Sequence, residues 1–348
     1  MIKTAIIGAS GYTGFELMRI LLAHPEAELV AVTSRQYKGM AVADVFPALV
    51  GLTRLSFKDT DDLDSPNTIG EVDLVFTALP HGTSQEMVSQ LAGNGSKVID
   101  LSADFRLKEP EVYREWYGEH RACELLKEAV YGLPELHRDQ VRDAKVVANP
   151  GCYPTSAILG LAPLLLGGLI ETNSIVIDAK SGVSGAGRGA TLATSFVEVN
   201  DGFKAYSVGV HRHTPEIEQE LSLLAGEGIK VSFTPHLLPV SRGILSTIYA
   251  TLRQEITTEA LLSLYGDLYR DEPFVRLMGV DLFPNISQVR GSNYCDIGVR
   301  VDGRTGKVTI VSVIDNLIKG ASGQAVQNMN IMYNLPEETG LSTYPDPI

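Results

Sequence analysis

The stretch "IKTAIIGASGYTGFELMRILLAHPEAELVAVTS", residues 2–34, decides the first half of the fold. An apolar run at Thr4 to Ile7 predicts a strand. The amphipathic spacing from about Gly14 to Ala23 predicts a helix, and Leu29 to Thr33 a second strand. Strand, glycine turn, helix and strand in about 30 residues make a βαβ unit of the dinucleotide-binding kind. The turn, Gly8-Ala9-Ser10-Gly11-Tyr12-Thr13-Gly14, is spaced GxxGxxG rather than GxGxxG, so its context carries the reading. It follows a strand and opens a helix, where unpaired N–H groups and the positive helix end favour a pyrophosphate. A glycine turn that serves packing alone is the competing reading. At the end of the second strand, NAD-selective units place Asp or Glu on the ribose 2′-OH. Here Ser34-Arg35 stand instead, a hydroxyl and a guanidinium suited to a 2′-phosphate, so NADP(H) is the expected cofactor. The alternative for Arg35 is a solvated surface residue.

The chain has 348 residues, enough for about two domains, each able to bury its own core. Residues 72–80 and 96–102 continue the pattern of near-continuous apolar strands expected in a parallel sheet covered on both faces. The polar loops after them hold His81 and Arg106. Ligands bind beyond the carboxyl ends of such strands, so Arg106 is a candidate anion clamp and His81 a cofactor-side or packing residue. The net charge of −13 comes without a Lys/Arg cluster and argues against nucleic-acid or anionic-membrane partners. Ala157 to Leu169, the longest apolar candidate, is short of the roughly 20 residues of a membrane span and is broken by Pro163. The chain passes from Met1 directly into a strand, and Cys123, Cys152 and Cys295 form no CxxC pair. A reduced, cytoplasmic location is therefore expected, with neither a disulfide framework nor a cysteine metal site.

In "VVANPGCYPTSAILGLAPLL", residues 146–165, Cys152 falls at or just before the start of a helix, with Pro154 in its first turn. The helix dipole there favours thiolate, and the unpaired amides can hydrogen-bond an oxyanion. Without such placement a cysteine reads as a small hydrophobe, which is the expectation for Cys123 and Cys295. A thiol nucleophile needs a base. "VGVHRHTPEIEQEL", residues 208–221, offers His211 and His213 before a helix start with Thr214 as N-cap and Pro215 at the first helical position. No HExxH spacing or Cys/His cluster accompanies them, so no metal site is expected. Glu216 and Glu218 read as helix-start and solvent residues, with Glu216 a possible orienter of a histidine. "VIDAKSGVSGAGRGA", residues 176–190, reads as a strand entering a glycine-rich loop in which Lys180, Ser181, Ser184 and Arg188 can face an anionic substrate. A ligand-free hairpin or lid is the alternative.

Taken together, "GASGYTGFEL", "DLSADFRL", "NPGCYPTS", "SGVSGAGR", "GVHRHTPEIEQ", "HLLPVSRGI" and "DNLIKGASGQAVQNMN" resemble the N-acetyl-γ-glutamyl-phosphate reductases, in the family's order from Ile6 to about Asn330. The resemblance implies an α/β chain: a Rossmann-type NADP-binding domain (1–150 plus 316–348) and a second α+β domain for catalysis and oligomerisation (151–315). It implies NADPH-dependent reduction of an acyl phosphate through a Cys152 thioester, in arginine biosynthesis. His213 would be the acid/base and His211 its alternate or a substrate contact. The backbone and side chains of Gly8, Ser10, Gly11, Tyr12, Thr13, Gly14, Ser34 and Arg35 would hold the cofactor, with Ser181, Gly182 and Asn316 along the nicotinamide. Arg106, Ser184, Gly185 and His211 would contact substrate. The segment 314–329 would be a long amphipathic helix returning to the nucleotide domain, bringing Asn316 and Gln324 toward the nicotinamide, and the chain would associate as a homodimer or homotetramer. Competing readings are a reductase for N-acetyl-aminoadipyl phosphate or its carrier-protein form, an aspartate-semialdehyde dehydrogenase, and a non-catalytic NADP(H)-binding sensor whose Cys152 is oxidised reversibly.

Overall fold

In the computed structural model, which describes residues 1–59, 72–341 and 344–346, the glycine turn ends the first strand of a parallel sheet. β1 (Ile2–Ile7), β2 (Ala27–Thr33), β3 (Phe57–Lys58), β4 (Leu74–Thr77), β5 (Lys97–Asp100), β6 (Val130–Tyr131) and β7 (Val146–Ala148) pair in the order β3-β2-β1-β4-β5-β7-β6. Every pairing is parallel. Ala5, Ile6 and Ile7 of β1 and Leu74, Val75 and Phe76 of β4 are fully buried, as the apolar runs of a sheet covered on both faces require. The strand order reverses between β1 and β4, and that switch point is where this architecture opens a ligand crevice.

The glycines of the turn divide the work. Gly8 has φ +82°, and a Cβ on it would stand 2.7 Å from the carbonyl oxygen of Ala78. A Cβ on Gly14 would stand 2.4 Å from the oxygen of Ala9, so the helix Tyr12–Ala23 can approach the strand only without one. Gly11, the helix N-cap, has nothing within 4 Å of its Cβ position; its backbone faces open space. The helix starts two residues earlier than its apolar spacing suggests, because Tyr12 and Thr13 lie on its open first turn.

The loops after β4 and β5 are fastened by two buried carboxylates. Asp100 accepts from the hydroxyls of Thr77 and Ser102, each at 2.5 Å. Asp104 accepts from the amides of Gly82 and Ser84, the Ser84 hydroxyl and the Tyr113 phenol. Burial pushes the Asp100 carboxyl up to about 6, against the pull of the Ser102 and Thr77 hydroxyls. An acid with a raised folded-state pKa favours folding most below its unfolded value, and that contribution disappears as pH rises through 6. The difference in unfolding free energy between wild type and Asp100→Asn should move by roughly 2 kcal/mol in the variant's favour between pH 4 and pH 7. Denaturant titrations across that range measure it; a constant difference would remove the proton from Asp100.

This first unit comprises Met1–Pro150 and Ala321–Leu341. Its last helix, Gly323–Met332, is buried at every residue and packs against the helices Pro134–Asp143 and Tyr12–Ala23. The long amphipathic helix expected over 314–329 is corrected here. Residues 318–322 form a π-turn, and the α-helix starts only at Gly323 and has no solvent face. Its polar side chains are turned inward as well, Gln327 donating to Glu337, Asn328 to the Gly132 carbonyl and Asn330 to the Glu337 and Thr339 carbonyls, so no amphipathic stripe marks the helix.

The second unit, built from Gly151–Gly320 with the last residues of the chain, has a mixed sheet of its own. β8 (Val176–Gly182), β9 (Lys204–Ala205), β10 (Ser232–Leu238), β11 (Ile244–Thr251), β12 (Val275–Leu277), β13 (Cys295–Asp302) and β14 (Lys307–Ile314) pair in the order β12-β13-β14-β11-β8-β10-β9. β8–β10 and β12–β13 are parallel and the rest antiparallel. The helix Cys152–Leu166 packs on β11 and β14, and the helix Thr214–Ala225 packs on that helix. Residues 316–320 belong to this unit rather than to the nucleotide unit expected from 316 onward. The reason is local: Asn316 accepts from the Gly243 amide at 2.8 Å and donates to the Ser184 hydroxyl at 2.9 Å.

Candidate active site

Cys152 is the first residue of its helix, with Gly151 as N-cap. Pro154 has no N–H, and the Thr155 amide returns to the Gly151 carbonyl at 3.0 Å. The amides this helix end can present to an oxyanion are therefore those of Cys152 and Tyr153. The tyrosine that follows the cysteine organises its surroundings. Its ring meets His211 at 5.5 Å, His213 at 6.0 Å and Phe233 at 5.3 Å, edge to face, and its hydroxyl lies 3.0 Å from that of Tyr206. Burial raises both phenols, Tyr206 to about 12, and the charge of Cys152 raises each further. Both hydroxyls thus stay protonated near Cys152 across the physiological range.

The two histidines differ. His213 is the N-cap of the helix Thr214–Ala225, a place expected for Thr214; its backbone carbonyl accepts from Ile217, and no side chain caps that helix. The His213 amide donates to Nδ1 of His211 at 3.1 Å, so a neutral His211 carries its proton on Nε2. Burial, then the charge of Arg212, lowers the His211 imidazole to about 4. His211 is a neutral N–H donor at any pH above about 5.

The glycine-rich loop brings Ser181, Ser184, Gly185 and Asn316 together. Asn316 bonds Ser184, and a Cβ on Gly185 would lie 3.3 Å from the Ser181 hydroxyl and 3.9 Å from Nδ2 of Asn316. Gly182 closes against the backbone of Arg242, its amide donating to the Gly243 carbonyl at 2.9 Å. Lys180 alternates to the other face of β8 and pairs with Asp178 at 3.1 Å, so it leaves the group to which the sequence assigned it. Arg188 lies in the loop itself, partly buried. Two residues, Arg242 and Gly320, escaped the sequence reading, and a third, Glu216, reads there as a helix-start and solvent residue. Arg242, in the "HLLPVSRGI" motif, stands 3.7 Å from the fully buried Asp315. Gly320 lies against the start of the cysteine helix, where a Cβ would come 2.7 Å from that of Cys152. Glu216 is buried rather than solvated, and accepts from the Gly151 amide at 2.7 Å. Cys123 donates to the His120 carbonyl and Cys295 is buried among core residues, as small hydrophobes.

In the first unit, Gly8, Ser10, Gly11, Ser34 and Arg35 line one crevice of about 430 Å³, together with Leu79, Pro80 and Thr83 from the loop after β4. Ser34 is buried and its hydroxyl accepts from the Tyr37 amide, while Arg35 is exposed at the rim. Tyr12 and Thr13 begin the helix above, and Gly14 is occupied with packing. The crevice fits a dinucleotide: the open space at Gly11 admits a pyrophosphate against the backbone, and Arg35 offers a guanidinium beside it. Gln324 of the same unit is fully buried, and neither its amide nitrogen nor its oxygen has a hydrogen-bond partner, the mark of a group that awaits one. His81, exposed, accepts from the Ala103 amide at 3.0 Å and so steadies the loop before Arg106. Arg106 itself is 5% exposed, with Nε on the Asn149 carbonyl at 2.8 Å and Nη2 on the Leu101 carbonyl at 3.0 Å. Those two bonds make it an anchor of the main chain as well as a candidate clamp.

Among the described residues no group of three or more His, Cys, Asp or Glu side chains could hold a metal, and no helix is long and apolar enough to cross a membrane.

Residues 3–144 match the NAD binding domain of semialdehyde dehydrogenases, and residues 152–316 their dimerisation domain. The chain is 57% identical over 346 residues to an N-acetyl-γ-glutamyl-phosphate reductase of Desulfotalea psychrophila, covering 99% of both chains. It is 56% identical to one of Syntrophobacter fumaroxidans, again over 99% of both. The chain belongs to the N-acetyl-γ-glutamyl-phosphate reductase family. The fold is shared more widely. Aspartate semialdehyde dehydrogenase II of Vibrio cholerae, solved with ASA, superposes with a TM-score of 0.73 at 18% identity, covering 96% of this chain and 98% of that one. The Candida albicans enzyme, solved with NADP, gives 0.71 at 17% identity, covering 96% and 98%. For a reductase of this family the cysteine helix falls at the first residue of the dimerisation-domain match, and the glycine turn near the start of the nucleotide-domain match.

Proposed function

We propose that the chain catalyses the NADPH-dependent reductive dephosphorylation of N-acetyl-γ-glutamyl phosphate to N-acetylglutamate 5-semialdehyde and inorganic phosphate, in arginine biosynthesis. The observation that carries the reading is Cys152 as the first residue of a helix, with two imidazoles against the ring of the next residue. The near full-length identity to reductases of that name supports the substrate.

In this reading the Cys152 thiolate attacks the acyl phosphate carbon, the C–O bond to phosphate breaks, and phosphate leaves with the electron pair. The amides of Cys152 and Tyr153 hold the oxyanion. NADPH, when bound, supplies the hydride that converts the thioester carbon to the aldehyde oxidation level. His213 takes the thiol proton at the start and protonates the oxyanion formed on reduction. It then removes that proton as the C–S bond breaks and aldehyde is released. His211 donates its Nε2–H to a substrate oxygen. Arg106, oriented by the Asn149 and Leu101 carbonyls, contacts the phosphate, with Ser184 and Gly185 beside the acyl chain. The turn from Gly8 to Gly14 holds the pyrophosphate, Ser34 and Arg35 the 2′-phosphate, and Ser181, Gly182 and Asn316 the nicotinamide. We further propose that the enzyme works in the cytoplasm as a homodimer or homotetramer joined through the second unit, in line with the dimerisation-domain match.

The reverse reaction tests the reading. With N-acetylglutamate semialdehyde and NADP⁺, reduced nicotinamide should accumulate only when inorganic phosphate is present. Turnover with the aminoadipyl homologue and none with the glutamyl compound would move the assignment to the longer substrate. NADP⁺ binding without turnover of either would leave a redox sensor.

A further inference from the structure

Glu216 has no place in the chemistry above, yet its environment is unusual for a helix-start glutamate. A Glu in the first turn ordinarily stays in solvent or caps its own helix. This one is 1% exposed and reaches out of its helix to another segment, accepting from the Gly151 amide at 2.7 Å. Gly151 is buried and is the N-cap of the nucleophile's helix, so its N–H lies outside that helix's own ladder. A buried amide without an acceptor is costly, and the residue before it, Pro150, has no amide at all. Glu216 therefore completes the one turn that aims Cys152.

The other end of the side chain is equally informative. Glu216 follows His213 by three residues on the same helix start, with Thr214 and Pro215 between them. Pro215 fixes its own φ and stiffens that turn. The histidine and the carboxylate are thus carried on one rigid element, and the hydrogen bond to Gly151 fixes that element relative to the cysteine. The bond needs the carboxylate's acceptor oxygen and its reach. It does not need the negative charge, which so close to Cys152 works against a thiolate.

We propose that Glu216 is a positioning residue that locks the histidine helix to the Cys152 turn through the Gly151 amide, acting by acceptor geometry and not by charge. The proposal rests on the thioester reading of Cys152. Three substitutions separate geometry from charge. Glu216→Gln keeps an acceptor at the same reach and loses the charge; its kcat in the phosphate-dependent reverse reaction should stay within about threefold of wild type. Glu216→Asp keeps the charge but is one methylene short, and Glu216→Ala lacks the acceptor. Both should lose about 10²-fold in kcat, the usual cost of an ångström's misplacement of a reacting group. KM for phosphate and the Kd for NADP⁺ should change little in all three. An Asp variant at wild-type kcat, or a Gln variant as impaired as Asp, would overturn the geometric role, and so would full activity in Ala. If Ala fails to fold, the Gln and Asp pair decides alone. Alkylation of Cys152 by iodoacetamide needs no substrate, and should run at or above the wild-type rate in Gln but more slowly in Asp and Ala. That order would hold even if wild type failed to turn over the acetylglutamyl compounds, so a wrong substrate and a wrong role for Glu216 give different results. Equal labelling rates in all four proteins would remove the brace.

Discussion

Cys152→Ser should lose phosphate-dependent NADP⁺ reduction by on the order of 10⁴-fold or more, the scale on which removing a covalent nucleophile acts. The substitution changes one atom, and the helix start, the Gly151 N-cap and the contact with Gly320 accommodate a hydroxymethyl as they do a thiol. What changes is acidity. A helix end that brings a thiol within reach of ionisation cannot do so for an alcohol, and an oxygen ester is a poorer hydride acceptor than a thioester. NADP⁺ affinity should stay at the wild-type level, because the crevice lined by Gly8, Gly11, Ser34 and Arg35 belongs to the first unit. Cys123→Ser is the control: its thiol donates to the His120 carbonyl, and turnover should be unaffected. A Cys152→Ser enzyme with wild-type kcat would end the covalent mechanism, whatever the substrate.

The parts of this site that were legible in the sequence are those where local chemistry and local structure coincide. A glycine turn between a strand and a helix can be read because each glycine answers a backbone demand within a few residues: Gly8 its positive φ, Gly14 its closeness to Ala9. Cys152 could be placed at a helix start because Pro154 and the apolar run after it are local signals. Glu216, Gly320 and Arg242 could not, because each acts on a segment far along the chain: on Gly151, on Cys152 and on Asp315. The spacing of Glu216 after a proline is that of any helix start, and nothing local distinguishes a carboxylate that turns outward from one that crosses to a buried amide. The unit boundary near 320 failed for the same reason. The bonds of Asn316 to Ser184 and Gly243 are long-range, and a helix enclosed on all sides has no stripe by which its start can be found. Arg106 was legible as a residue and incomplete as a role, since its carbonyl partners at Leu101 and Asn149 exist only once the strand ends have come together.

The order of the two histidines follows from the proton on His211, and this gives the second large effect. With Nδ1 accepting from the His213 amide, the only proton of a neutral His211 is on Nε2, which then has no lone pair with which to take a proton from Cys152. Burial and Arg212 hold its pKa near 4, so it stays in that form throughout the working range. We therefore propose His213, rather than His211, as the acid/base. His213→Gln should therefore cost about 10²- to 10⁴-fold in kcat, the range of a lost general acid–base, and should abolish the acid limb of the kcat/KM profile. His211→Gln places an amide N–H near the lost Nε2–H, should cost no more than about tenfold, and should leave that limb where it is in wild type. Stability supplies an independent reading of the same proton. An imidazole whose folded-state pKa is depressed loses its stabilising contribution as pH falls from 6.5 through 4, so His211→Gln should withstand acid unfolding to a lower pH than wild type. The opposite order of kinetic costs, with His211 the essential residue and its substitution removing the acid limb, would place the proton on Nδ1 and the base at Nε2 of His211, and would require the His213 amide to let go of that ring in the working enzyme.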